Sequence, residues 1–170
     1  MNNKIYELSC QAVRLLKENK MTVSAAESCT VGLVSAYITA VPGSSSAFEL
    51  GITSYSCRVK RDILGVDGET LQNLGAVSRE TAYKMAQNIR EKANSSIGVS
   101  VTGVAGPDGS EGHAPGLVYI AAAYDGGVRV KELNIDPLSR NYVRETAVSE
   151  VFKLLIQIIG EVKKLSLIHI

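Results

Sequence analysis

Two short runs constrain this chain more than any other feature. SIGVSVTG at 96–103 sets Ile97, Val99 and Val101 against small residues, and LVYIAAAY at 117–124 is apolar almost throughout. Both have strand length. The first reads as a strand closely packed on both faces, and the second as a buried strand. A sheet covered on both faces needs helices, and the chain supplies them. Residues 4–18 bring Ile5, Leu8, Ala12, Leu15 and Leu16 to one side at helical spacing. Residues 79–92 do the same with Ala82, Met85, Ala86 and Ile89, behind a cap at Ser78. A long last helix from about 139 to 163 carries Val143, Ala147, Val151, Leu154, Leu155, Ile158, Ile159 and Val162.

The remaining segments fall between these. MTVSAA at 21–26 and FELGITSYS at 48–56 read as strands. A helix is expected from Gly32 to Ala40, capped by Ser28 or Thr30 and stopped by Pro42-Gly43. RVKRDILGV is expected to form a helical turn, and 66–77 a stretch punctuated by Gly68 and Gly75. Asp125-Gly126-Gly127 predicts a hairpin turn into VRVKELNI at 128–135, where slipped alternation between Val130 and Leu133 predicts a bulge. The order is helix, strand, helix, strand, helix, strand, hairpin, helix. It predicts one α/β domain over 1–170, with a mixed, mostly parallel sheet and one antiparallel excursion.

Composition narrows the function classes. With 45% hydrophobic residues, no tryptophan and two phenylalanines, the chain can bury a core, and that core must be aliphatic. Eighteen basic and 17 acidic side chains leave a net charge of +1, so no nucleic-acid footprint is expected. No apolar run is long enough for a membrane span, and charge interrupts the N-terminal segment where a signal peptide would need an apolar stretch. Cys10, Cys29 and Cys57 form no CxxC pair, so free thiols in the cytoplasm are expected. The two histidines, His113 and His169, have no metal-ligand spacing, and neither a metal nor a cofactor is expected. The apolar end SLIHI at 166–170 is expected to pack on the body or on another chain.

Polar clusters sit where strands should end. In Glu27-Ser28-Cys29-Thr30-Val31-Gly32, a hydroxyl before a helix would meet free backbone N–H groups, which suits an anion or an oxyanion. Simple capping is the plainer reading. In Thr53 to Arg61, Lys60 can serve as a general base if burial or neighbouring cations depress its pKa, and Tyr55 can relay a proton. A solvated basic stretch would look the same. Thr102-Gly103-Val104-Ala105-Gly106-Pro107-Asp108-Gly109 allows close backbone approach to a ligand, yet it is neither a Walker A nor a Rossmann fingerprint. Asp108 and Glu111 in the same loop are a weak cation signal. Arg140 and Arg144 share a helix face near an N-terminus. They oppose the helix dipole there, which points to an external anion slightly more than to plain surface charge. Cys29 or Cys57 is an alternative nucleophile, although both histidines lie far off in sequence.

Taken together, AESCTVG at 26–32, GITSYSCRVKRDILGV at 51–66, GAVSRETAYKMA at 75–86, VTGVAGPDG at 101–109 and the Arg140/Arg144 pair resemble the CinA C-terminal domain family, over nearly the whole chain. That family includes nicotinamide mononucleotide deamidases. The resemblance implies a three-layer α/β/α sandwich, usually a homodimer or higher homo-oligomer, with no cofactor. It implies a Ser-Lys amidohydrolase releasing ammonia from nicotinamide mononucleotide, with a small-molecule nucleotide as the partner. By the same likeness, Ser28 is the nucleophile, Lys60 its partner and Tyr55 the active-site tyrosine. Thr30, Thr102, Gly103, Arg140 and Arg144 become the substrate-binding set. Many members also carry an N-terminal domain resembling molybdopterin-binding proteins, whose activities are not expected of these residues.

This chain departs from the family pattern at three places. Val31 stands where a glycine is common, and is expected to narrow the pocket or hinder a backbone geometry. Cys57-Arg58 replace Asn-Glu, which is expected to alter the field at Lys60 or the placement of substrate. Leu138-Ser139 replace Gly-Asp. Two alternatives to the deamidase follow: a nucleotide-binding module with altered or lost catalysis, and a hydrolase of another small amide.

Overall fold

The computed structural model describes residues 1–168, and all its α-helices but one start where a local side-chain cap puts them. The Asn2 side chain accepts from the Lys4 and Ile5 N–H groups to open α1 (Asn3–Glu18). Ser78 accepts from Thr81 N–H to open α5 (Arg79–Ala93), and Ser139 accepts from Tyr142 N–H at the head of α6 (Arg140–Ile168). Three shorter helices complete the set: α2 (Leu33–Thr39), α3 (Cys57–Asp62) and α4 (Gly68–Leu74). α4 occupies most of the 66–77 stretch, for which the sequence predicts no helix. None of its residues is buried, so it carries no apolar stripe, and the Asp67 cap on Thr70 N–H is its main local signal.

The strands are β1 (Val23–Glu27), β2 (Phe48–Thr53), β3 (Ile97–Gly103), β4 (Leu117–Tyr124) and β5 (Gly127–Asn134). Among the described residues they form one sheet in the order β2-β1-β3-β4-β5. β1 lies parallel to both β2 and β3, whereas β4 and β5 follow antiparallel. The expected mixed α/β sheet is present, and its antiparallel excursion is as large as its parallel half. The bulge expected in β5 is absent: pairing runs without a slip from Leu117↔Asn134 to Tyr124↔Gly127. β5 is an edge strand with half-buried side chains, so its alternation carries little information about register.

Layering follows from which side chains each face presents. Val23, Ala25, Ile97, Val99, Val101, Val118 and Ile120 meet α1, α2 and α6 through Leu16, Phe152, Leu155 and Ile158. The opposite face is built from small residues, and α5 lies close upon it. Ser100 Oγ donates to Ala82 O at 2.6 Å and Ser24 Oγ to Ile89 O at 3.2 Å, while Ala82 and Ala86 pack on Ala121 and Ala123. Three layers result, α/β/α. α6 runs past its expected end at 163, and Leu165, Leu167 and Ile168 are exposed rather than packed on the body. His169 and Ile170 lie outside the described residues. No described helix is long and apolar enough to cross a membrane.

Candidate active site

Parallel pairing brings three strand ends to one edge. Glu27 pairs with Thr53 on one side and Val101 on the other. Ser28 and the Ser54–Tyr55 segment, just past β1 and β2, therefore emerge beside Thr102–Gly103, the carboxyl end of β3. Open α/β sheets bind ligands at such edges. A cavity of about 440 Å³ opens there, and Ser28, Cys29, Tyr55, Lys60, Thr102 and Arg140 are in its lining.

Lys60 reaches this point from α3, which Ser56 caps by accepting from Val59 N–H. The side chain is fully buried, and its Nζ lies 2.9 Å from Ser28 Oγ, 2.6 Å from Ser54 O and 3.3 Å from Tyr55 O. Burial pulls its pKa below the ordinary lysine value, with Cys57, Cys29 and Glu111 acting weakly in the opposite direction. Arg58, expected to influence this amine, is not among those causes; it is exposed and lies 3.9 Å from Asp62. A neutral amine has two N–H donors and one lone pair. The two carbonyls can accept both donors, which leaves the lone pair for the Ser28 hydroxyl. Cys29 also lines the cavity, but burial pushes its thiol up to about 12, so it stays protonated at neutral pH. His113 does not line the cavity.

The turn after β1 is built differently from the simple cap expected. Neither Ser28 nor Thr30 caps α2. Gly32 occupies the cap position with φ 86° and no side-chain bond. Glu27, buried at the end of β1, does the work from a distance. Its carboxylate accepts from Thr30 Oγ1 at 2.7 Å, Val34 N at 3.0 Å, Ser35 N at 2.9 Å and Ser35 Oγ at 2.8 Å. Val31 adopts φ 47°, a left-handed conformation that a branched residue rarely takes. Its side chain is 46% exposed and outside the cavity lining, so it narrows nothing.

Two of the eight expected site residues do not line the cavity. The Thr30 hydroxyl is fully buried on Glu27. Arg144 donates through Nε to Cys29 O and through Nη2 to Thr30 O, both at 3.1 Å, so it grips the turn from behind. The others line it. Thr102 Oγ1 donates to Ala76 O at 2.7 Å, and Gly103 packs so tightly that a Cβ there would lie 2.6 Å from Leu117 O. Arg140 spans the rim, donating to Gly106 O at 2.5 Å and to the Tyr55 hydroxyl at 3.4 Å. The backbone N–H groups of Cys29 and Thr30 have no backbone acceptor among the described residues.

Sequence reasoning missed the roles of Glu27 and Glu111. Glu111, read as a weak cation signal, has its carboxylate accepting from Ala76 N at 3.2 Å and Val77 N at 3.1 Å, which docks the 104–116 loop beside the cavity. Among the described residues no cluster of three or more acidic, cysteine or histidine side chains could hold a metal. Glu27 had a readable signal: a charge closing an apolar strand just before a helix. Glu111 had none, because its partners lie 34 and 35 positions away.

Comparison with known proteins agrees with this architecture. Residues 5–159 match the model of the CinA C-terminal domain. A competence-damage inducible protein of Acetivibrio thermocellus is 44% identical over 158 residues, covering 92% of this chain and 38% of that protein. One from Bacillus velezensis is 42% identical over 145 residues, covering 85% of this chain and 35% of that protein. The chain thus spans little more than a third of the length of these curated relatives. The solved competence/damage inducible protein of Agrobacterium tumefaciens superposes with a TM-score of 0.88 at 36% identity, covering 92% of this chain and 96% of that one. A CinA superfamily protein of Klebsiella pneumoniae superposes at 0.89 with 27% identity, covering 95% and 99%. With the family model matched over residues 5–159, the chain belongs to the CinA C-terminal domain family.

Proposed function

We propose that the chain is an amidohydrolase that converts nicotinamide mononucleotide to nicotinate mononucleotide and ammonia through a seryl acyl-enzyme. The observation that carries this reading is the buried Lys60 amine 2.9 Å from Ser28 Oγ inside an open cavity. Neutral Lys60 takes the proton from Ser28, and Oγ attacks the carboxamide carbon. The carbonyl oxygen becomes an oxyanion, which the Cys29 and Thr30 N–H groups stabilise, at about 3–4 kcal/mol per good donor. The C–N bond then breaks, and ammonia leaves with a proton passed on by Tyr55 or the Lys60 ammonium. Water attacks the ester, Lys60 takes its proton and gives it to the departing Ser28 Oγ, and the acid is released.

Arg140 and the 102–109 loop hold the 5′-phosphate in this reading, with the remaining guanidinium N–H groups as donors. The pyridinium charge makes the carboxamide more electrophilic.

The test is ammonia release from nicotinamide mononucleotide by the wild-type, Ser28→Ala and Lys60→Ala proteins. Turnover by the wild type and loss of about 10³-fold or more in each variant is the expected result. Near-normal turnover by a folded Ser28→Ala protein would refute the nucleophile. Mononucleotide binding without ammonia would replace the enzyme with a binding module. Release from other pyridine or purine amides alone would redirect the substrate.

A further inference from the structure

The turn that carries Ser28 is held by two oppositely charged side chains, neither of which lines the cavity. Glu27 fixes its helix end through four donors from Thr30, Val34 and Ser35. Arg144 fixes its carbonyl side by bonding Cys29 O and Thr30 O at once. Val31 N–H closes the turn on Ser28 O at 3.2 Å. A peptide unit is planar and trans, so its C=O and N–H point in opposite directions. The carbonyl of Cys29 shares its plane with the N–H of Thr30. Holding that carbonyl toward Arg144 turns the Thr30 N–H away from Arg144.

We propose that Arg144 and Glu27 are positioning residues that aim the oxyanion donors, and that Arg144 does not hold the substrate phosphate. This inference rests on the hydrolase reading above. The two charges act on different parts of one turn: the cation sets the Cys29–Thr30 and Thr30–Val31 peptide planes, and the anion anchors the turn to α2. A flexible turn would let the amide donors rotate away from the developing charge, and preorganised donors are what such a site depends on. The strained conformation of Val31 fits the same picture, because an over-determined turn can hold a backbone shape that the residue alone disfavours.

The experiment compares Arg144→Lys, Glu27→Gln and wild-type proteins on nicotinamide mononucleotide and on nicotinamide riboside, which lacks the phosphate. Lysine keeps the charge but cannot bridge two carbonyls with a planar fork. Both variants are expected to lose about 10²-fold in kcat on both substrates, the scale of a lost oxyanion donor, with KM within about twofold of wild type. The structure and charge balance are kept best by Arg144→Lys, so that variant decides if Glu27→Gln fails to fold. A rise in KM confined to the mononucleotide would overturn the proposal in favour of phosphate binding by Arg144. Wild-type kcat in Arg144→Lys would also overturn it. Absence of turnover in the wild type would remove the hydrolase reading and this inference with it, whereas an active wild type beside an equally active Arg144→Lys protein would remove this inference alone.

Discussion

Val31 shows how one side chain can work against its own backbone. At φ 47° its branched Cβ crowds the adjacent carbonyl, a clash that costs about 1–2 kcal/mol for residues with a Cβ. Gly32 follows at φ 86°, so two consecutive left-handed residues carry the chain from β1 into α2. A glycine at 31 would relieve the clash but also gain freedom in the unfolded chain, which offsets part of the benefit. Val31→Gly is therefore expected to stabilise the protein by about 1 kcal/mol, read as a higher urea midpoint with an unchanged slope. A lower midpoint would mean that the valine makes packing contacts that outweigh its strain. The common family glycine at this position, noted from sequence as a departure, thus finds a backbone reason rather than a pocket reason. At Cys29 the outcome was also decided by surroundings: the thiol looked like a possible nucleophile, but burial keeps it protonated.

Helix and strand contacts depend on residues too small to announce themselves. α5 approaches β3 so closely that a Cβ on Gly98 would lie 2.4 Å from Ala86 O and 2.8 Å from Arg90 N. Both are backbone atoms, so the helix itself would have to move. Gly98→Ala is expected to destabilise the fold by about 1–3 kcal/mol, the usual cost of overpacking, and to lower the thermal midpoint. An unchanged midpoint would mean that α5 rides freely on the sheet. This contact was partly legible, because alternating small and branched residues at 97–102 foretold close packing on both faces. The cap at Ser78 was legible for a similar reason: it acts within three residues of itself. α4 was not, since an exposed short helix leaves no apolar period. Nor was the uninterrupted β4–β5 register, which the hairpin turn sets more firmly than the half-buried residues of β5 do.

Across the whole molecule, Lys60 links the site to stability. The folded chain lowers its pKa below 10.5 by burying it, while the unfolded chain keeps the ordinary value. Between the two values the unfolded chain holds a proton that the folded chain has released. Stability therefore rises with pH across that window, and the burial cost is fully present below the folded value. Replacing Lys60 with methionine removes this dependence. The difference in unfolding free energy between wild type and Lys60→Met is expected to move in favour of the wild type as pH climbs from neutral toward 10.5, measured by urea denaturation. A difference independent of pH would contradict an amine held neutral by burial. What the sequence by itself determined is the part that short range controls: strand and helix order, the main caps, the aliphatic core and the motifs that resemble the family. What only the tertiary structure decided is which polar groups meet. Ser28 and Lys60 are 32 positions apart and touch because parallel pairing aligns the ends of β1 and β2. Arg144 lies outside the cavity lining and bonds the Cys29 and Thr30 carbonyls, because a guanidinium bonds whichever carbonyls the packing of α6 brings within its reach.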